Sequence, residues 1–273
     1  MNKTIQALTI AGFDSGGGAG MQADLKTFQE RFVFGTSVLT ALPIQNTQGV
    51  KAVYDISTAA IIDQLNVIQE DFSIDAVKTG MLFTEEIIRC VAQFLQIADF
   101  GPLVIDPVMI AKGGHALLKE DAVQALIELL LPLAEIITPN IPEAEAISKM
   151  TITSQEDMAA AGKLIQSLGA KNVVVKGGHH LADKESSDML LLSSGKIEWL
   201  TAERIDTKNT HGTGCTFSAC ITAELAKGKS VEEAVRIGKA FIQAAITDGI
   251  DVGKGNGPTN HWAYRKVKIN AEK

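Results

Sequence analysis

Asn209-Thr210-His211-Gly212-Thr213-Gly214-Cys215 stands between an extended hairpin pattern and an apolar helical run that reaches about Ala226. Gly212 and Gly214 let backbone N–H groups converge on one point where a helix begins. Converging donors and the positive end of the helix dipole together make an anion site. Cys215 falls in the first helical turn, where a thiol pKa is expected to be lowered. The bland reading of Cys215 is a small packed hydrophobe, the commoner fate of cysteine. The flanking glycines favour the chemical reading, and His211, four residues earlier, is a candidate helper.

The surrounding chain repeats the same strand-then-helix order. Ala7 to Ala11 reads as a first buried strand, and a helix follows from about Gln22 to Arg31. Ser37 to Ile44 reads as a second strand. Thr58 to Gln69 is helical, with Ala60, Ile61, Leu65 and Ile68 near a 3.6 period. Ile74 to Val77 is a strand, and Thr84 caps a helix towards Leu95. Leu103–Ile105, Ile136–Thr138 and Val173–Val175 are three further buried strands. Met189–Leu192 and Ile197–Leu200 flank Ser193-Ser194-Gly195 as a hairpin. Ser230 and Glu233 form a capping box that opens a last long helix. Such alternation predicts one α/β domain over residues 1–273, with a mostly parallel sheet covered by helices on both faces.

Ligands in sheets of this kind sit where strands end and helices begin. Four more clusters fall there. Gly12-Phe13-Asp14-Ser15-Gly16-Gly17-Gly18-Ala19-Gly20 follows the first strand. No GxGxxG runs through it, and no lysine follows it as in a Walker A loop. Five glycines in nine residues are costly in chain entropy for a simple turn, so close backbone approach is expected. Asp106 ends a buried strand and is placed to meet Mg²⁺ or the reacting centre, against the alternative of capping its turn. Asn140-Ile141-Pro142-Glu143 opens a helix, where Glu143 either complements the dipole or holds Mg²⁺. Lys176 follows another strand within reach of phosphate oxygens. His179 and His180 point apart on an extended chain and do not read as a metal pair; His115 and His261 have no usable context. Gly113-Gly114 and Gly177-Gly178 are hinge candidates.

The formal net charge of -7 leaves no basic stripe for nucleic acid. The longest greasy stretch, Ala125 to Ile137, contains Glu128, Pro132 and Glu135 and does not read as a membrane span. Cys90, Cys215 and Cys220 have no metal or disulfide spacing, which fits a reducing cytoplasm.

Taken in order, these clusters resemble the ribokinase-like superfamily, and within it the vitamin-kinase branch: the hydroxymethylpyrimidine/phosphomethylpyrimidine kinases and the related bacterial pyridoxal kinases. The resemblance runs from about Leu8 to Gly257. It rests on Ala19–Gln29, Val77–Leu82, Asp106–Met109, Thr138–Asn140 and His211–Ser218 together. It implies that Gly212, Thr213 and Gly214 form the anion hole, and that Cys215 takes the position where the wider superfamily carries a basic aspartate. It implies nucleotide-site roles for Asn140, Lys176, Asp188, Gly214 and Lys239, and a magnesium role for Glu143 beside Asp106. Gln45 matches a glutamine that pairs with the pyrimidine ring, and Gly12, Asp14, Met81 and Val108 match the substrate pocket. ATP and Mg²⁺ are the implied cofactors, a small molecule the implied substrate, and a homodimer the implied assembly. Phe13 and Pro43 depart from the family's pattern, which has serine and a small residue there. Gln45-Asn46-Thr47 favours the aminopyrimidine over pyridoxal, since an amide both donates to and accepts from that ring edge. A nucleotide-dependent oxidoreductase is disfavoured by the missing fingerprint, and a non-catalytic sensor by Cys215, Glu143 and Lys176 together.

Overall fold

The computed structural model describes residues 3–109, 120–177 and 185–265. Gly113, Gly114, His115, Gly178, His179 and His180 lie outside the described residues. The strands are β1 (Gln6–Ala11), β2 (Phe34–Leu39), β3 (Ala41–Asn46), β4 (Gly49–Asp55), β5 (Ala76–Thr79), β6 (Leu103–Ile105), β7 (Ala134–Ile137), β8 (Asn172–Val175), β9 (Glu185–Leu191) and β10 (Ile197–Glu203). The helices are α1 (Gly20–Glu30), α2 (Thr58–Asp71), α3 (Glu85–Leu95), α4 (Glu120–Ala125), α5 (Ile141–Ser148), α6 (Gln155–Ser167), α7 (Thr213–Ala226) and α8 (Val231–Thr247).

Eight strands form one sheet in the order β10-β9-β8-β7-β6-β5-β1-β2. From β8 to β2 all neighbours are parallel, while β9 runs antiparallel to β8 and to β10. Parallel strands need both faces covered, so their sequences read as apolar runs. Period-two alternation divides β1 accordingly: Leu8 and Ile10 join one core with Ile61, Ile88 and Ile137, while Ala7 joins Phe28, Phe217 and Val235 on the other face. The stretch Ala125–Ile137 is broken into a π turn, a 3-10 turn at Pro132 and strand β7. No helix among the described residues is long and apolar enough to cross a membrane.

One expected element is divided. Ser37 to Ile44 is not a single strand: the chain leaves the main sheet at Thr40 and starts a separate two-stranded sheet, β3-β4. Thr40 is the corner. Its N–H donates to the Ala11 carbonyl at 3.1 Å and its hydroxyl to the Met81 carbonyl at 2.7 Å. The antiparallel hairpin that follows projects over the carboxyl edge of the sheet, and most of its residues are partly or fully exposed.

Lys78 on β5 carries a charge into the interior. It is fully buried, and its ammonium meets both carboxylate oxygens of Asp24 on α1 at 2.9 Å. Thr9 Oγ1 donates to the same carboxylate at 2.6 Å. Burial opposes the Lys78 charge, yet Asp24 with Cys215 and Asp106 together outweigh it and hold the lysine pKa above its ordinary value. Removing one member of such a pair leaves an uncompensated buried charge. Lys78→Met is expected to lower unfolding stability by about 3–5 kcal/mol in urea titration, and the double change with Asp24→Leu to recover most of it. Equal stability of the single variant and the wild type would contradict the pairing.

Candidate active site

The carboxyl ends of β1, β5, β6, β7 and β8 are followed by Gly12, Gly80, Asp106, Thr138 and Lys176, so the polar clusters of the sequence meet along one edge. A cavity of about 770 Å³ lies there. At one end it is lined by Phe13, Pro43, Gln45, Val53, Met81 and Val108; in the middle by His211, Gly212, Thr213, Gly214, Cys215, Asp106 and Lys176; at the other end by Asp188, Arg204, Thr207, Lys239 and Gln243.

The start of α7 forms the middle wall. Gly212 takes φ 80°, the left-handed region open to glycine, and the helix begins at the next residue. N–H groups of a first helical turn have no intrahelical acceptor and face outward from the helix end. A Cβ on Gly214 would stand 3.3 Å from Lys176 Nζ and 3.7 Å from both Asp106 carboxylate oxygens. A side chain there would crowd the ammonium, so glycine lets the loop sit close to this cation and carboxylate. Lys176 Nζ lies 3.3 Å from Asp106 Oδ1, and Ser218, one turn along α7, donates to Asp106 Oδ2 at 3.2 Å. Burial works against the Lys176 ammonium, but Asp106 and Glu143 outweigh it and raise its pKa.

Asn140 and Glu143 form a capping box at the start of α5. The Asn140 side chain accepts from the Glu143 N–H at 2.9 Å, and Glu143 Oε2 accepts from the Asn140 N–H at 2.8 Å. Burial raises the Glu143 pKa to about 7, opposed by Lys176 and supported by Asp106. At the far end, Asp188 Oδ2 accepts from Lys239 Nζ at 2.8 Å, and Asp188 Oδ1 accepts from the Gly177 N–H at 3.0 Å. Gly177 is fixed by packing: a Cβ there would collide with the Ser187 carbonyl.

Three expectations are corrected. Cys215 does not have a lowered thiol pKa: burial pushes it up to about 12, with Asp106 and Asp24 adding to the rise. Lys78 and the Gly20 N–H pull the other way and do not prevail. Asp14 does not line the cavity. It is 1% exposed and turned into its own loop, accepting from the N–H groups of Gly16, Gly18 and Ala19 at 2.7–2.9 Å. Its Oδ2 also lies 2.8 Å from His211 Nε2. These partners outweigh burial and hold the Asp14 carboxyl below the usual carboxylate range. Gly12 likewise stands behind the wall, where the Met81 methyl packs against it.

The family model described as phosphomethylpyrimidine kinase matches residues 14–260. A hydroxymethylpyrimidine/phosphomethylpyrimidine kinase of Haemophilus influenzae is 54% identical over 269 residues, 98% of this chain and 100% of that one. The chain belongs to the phosphomethylpyrimidine kinase family. Among solved structures, the ADP complex of Bacillus subtilis pyridoxal kinase superposes with a TM-score of 0.89 at 44% identity, covering 97% of this chain and 100% of that one. Staphylococcus aureus pyridoxal kinase in complex with AMP-PCP and pyridoxal gives 0.89 at 38% identity, covering 97% and 96%.

For this member of the family, sequence reasoning missed several residues of the site. Lys78 lines the cavity, but its partner Asp24 is 54 residues away and leaves no local signal. Arg204 and Thr207 line the far end from an irregular segment without a motif. Behind the cavity wall, His261 meets Thr216 in the first turns of α7 at 3.1 Å, and burial lowers its pKa to about 4. Both departures, Phe13 and Pro43, do face the cavity.

The high thiol pKa has a direct readout, because the thiolate is the form that alkylates. Cys215 in the ligand-free protein is expected to react slowly with iodoacetamide at pH 7.5 and faster as pH rises towards 10, followed by peptide mass spectrometry. Rapid modification already at pH 6.5 would contradict it.

Proposed function

We propose that this chain transfers the γ-phosphoryl group of ATP to the hydroxymethyl oxygen of 4-amino-5-hydroxymethyl-2-methylpyrimidine, and then to the resulting monophosphate, in the cytoplasm. The observation that carries this reading is the run of one cavity from Gln45, past Gly212–Cys215 and Lys176, to Asp188 and Lys239. An acceptor at one end and a nucleotide at the other then meet at the start of α7. Gln45 is suited to the aminopyrimidine edge because its amide both donates and accepts.

Phosphoryl transfer through a loose transition state calls mainly for positioning and charge stabilisation. The N–H groups at Gly212, Thr213 and Gly214 are the candidate donors to the transferring group, with the Thr213 N–H shared with the Thr210 carbonyl at 3.3 Å, and Lys176 supplies a cation beside them. Asn140 and Lys239 hold the nucleotide end. Cys215 is the candidate proton acceptor for the hydroxymethyl group, acting through the minor thiolate form that Lys78 and the Gly20 N–H favour against burial and the neighbouring carboxylates. His211, held by Asp14, orients the loop that leads into Gly212.

Asp106 and Glu143 suit a magnesium ion that arrives with the nucleotide. Mg²⁺ keeps several waters and takes one or two carboxylates plus phosphate oxygens. Groups of three metal-ligating side chains are absent among the described residues, so the protein alone offers no closed cage. The ion would neutralise charge on the phosphate oxygens. The assembly is read as a homodimer, with exposed Ile44 and Tyr54 on the hairpin as apolar surface for it; light scattering at twice the chain mass tests this.

The substrate assignment is tested by comparing kcat/KM for the aminopyrimidine and for pyridoxal with purified protein. A higher value for the aminopyrimidine is expected, and a higher value for pyridoxal overturns the assignment. Cys215→Ala is expected to lower kcat by about 100-fold or more, the usual scale for a lost proton acceptor, while ATP still binds. Near-normal turnover would remove Cys215 from that role. Glu143, with its pKa near 7, is mostly protonated at pH 6 and mostly ionised at pH 8. Because the proton competes with the metal, the Mg²⁺ concentration for half-maximal rate is expected to fall across that range, and Glu143→Gln to flatten the trend.

A further inference from the structure

The hairpin β3-β4 carries Gln45 but has little of its own to hold it in place. Two-stranded sheets are marginal in water without a packed face. Here only Ala41 and Pro43 of β3 are buried, and no residue of β4 is. Its register shifts between Ile44 and Gln45, so Ile44 pairs with Ala52 while Gln45 pairs with Val50. Irregularities of this kind re-aim a side chain, and Gln45 lines the cavity. Within the single chain, a side chain presented from this ribbon is held by anchors outside the ribbon.

The structure provides two. Ser15 Oγ accepts from the Gln45 N–H at 3.0 Å and donates to the Gln45 carbonyl at 2.5 Å, gripping the backbone of that residue. The hairpin tip is gripped from the other side by a glycine-rich strap, residues 253–259. Thr47 Oγ1 accepts from the N–H groups of Lys254 at 3.2 Å and Gly255 at 3.1 Å. The Thr47 carbonyl accepts from the Asn256 N–H at 2.8 Å. The approach is so close that a Cβ on Gly255 would collide with the Thr47 carbonyl, and one on Gly253 with the Thr47 side chain. Both glycines are required by the threonine's seat.

The strap then reaches the phosphate end of the site. The His211 N–H donates to the Gly257 carbonyl at 3.0 Å, and the Thr259 N–H donates to the His211 carbonyl at 3.2 Å. The same short segment therefore holds the tip beyond Gln45 and the loop that leads into Gly212.

We propose that Thr47 is a positioning residue for the acceptor: its hydroxyl, seated on the strap at Lys254 and Gly255, sets where Gln45 stands over the cavity and thereby sets acceptor affinity. Thr47 touches no reacting atom in this account; it acts through Gln45. The proposal rests on the reading of the cavity's Gln45 end as the acceptor pocket.

Thr47→Val keeps the β-branched shape and removes the oxygen that accepts both N–H groups, so it isolates the hydroxyl. Thr47→Ser restores that oxygen. Initial rates of ADP formation with the full chain, varying the aminopyrimidine and then ATP, give the test. Thr47→Val is expected to raise KM for the acceptor by about tenfold, a loss on the scale of two weakened hydrogen bonds, with kcat and the KM for ATP changed less than about twofold. Thr47→Ser is expected to stay near the wild type. In a Gln45→Ala background, Thr47→Val is expected to add little, because a residue that acts through another is not additive with it.

An unchanged acceptor KM in Thr47→Val overturns the proposal. So does a full effect in the Gln45→Ala background, or a parallel loss in kcat and in the KM for ATP, since each marks a general structural role. Failure of the underlying reading looks different. A wild-type chain that phosphorylates pyridoxal and leaves the aminopyrimidine untouched overturns the substrate assignment, and the same Thr47 and Gln45 comparison is then made on pyridoxal with the same criteria.

Discussion

The Gly212 backbone lies directly against the Gly18 carbonyl, and much of the site depends on that contact. A Cβ on Gly212 would occupy the carbonyl's own space, and a Cβ on Gly18 would stand 2.8 Å from the His211 ring. Two glycine-rich turns, one after β1 and one before α7, are thus pressed together, backbone to backbone at Gly212 and Gly18. Asp14 completes the join by accepting from three backbone N–H groups of its own turn and meeting His211 at 2.8 Å. The start of α7 is fixed by this seam, and with it the direction in which its first N–H groups face.

From the seam the other parts follow in space. Gly214 has room to approach Lys176 and Asp106 because the helix starts where it does. Cys215 follows one residue later, among Lys78, Asp24 and Asp106, where burial rather than the helix dipole governs its ionisation. Behind α7, Thr216 meets Thr259 and the buried His261, which extends the same seam to the strap. The constraint is geometric at the glycines and electrostatic one turn later.

Much of this was legible in the sequence. The strand ends, the capping residues Thr84 and Ser230, and the clusters at the sheet's carboxyl edge follow from local chemistry that a short window contains. The density of glycine after β1 pointed to close backbone approach, and the structure shows the partner to be the His211–Gly212 turn. What escaped depends on partners far along the chain. The apolar run from Ser37 to Ile44 gives no hint that Thr40 turns it out of the sheet, because the Ala11 and Met81 carbonyls that hold the corner are 29 and 41 residues away. Asp14 looked like a pocket carboxylate because its inward hydrogen bonds are set by the turn's conformation. A dipole argument lowers the expected pKa of Cys215, but it has no account of the burial that the fold imposes on the sulfur or of the charges of Asp106 and Asp24 nearby.

The central claim is that a phosphoryl donor and an acceptor alcohol meet at the start of α7, between Cys215 and Lys176. A crystal structure with AMP-PCP, magnesium and the aminopyrimidine tests it most directly. The account predicts the terminal phosphate on the N–H groups of Gly212–Gly214 beside Lys176, with the pyrimidine edge against Gln45 and its hydroxymethyl oxygen near Cys215. A terminal phosphate bound away from that helix start, or a pyrimidine lodged at the Asp188–Lys239 end, would contradict it.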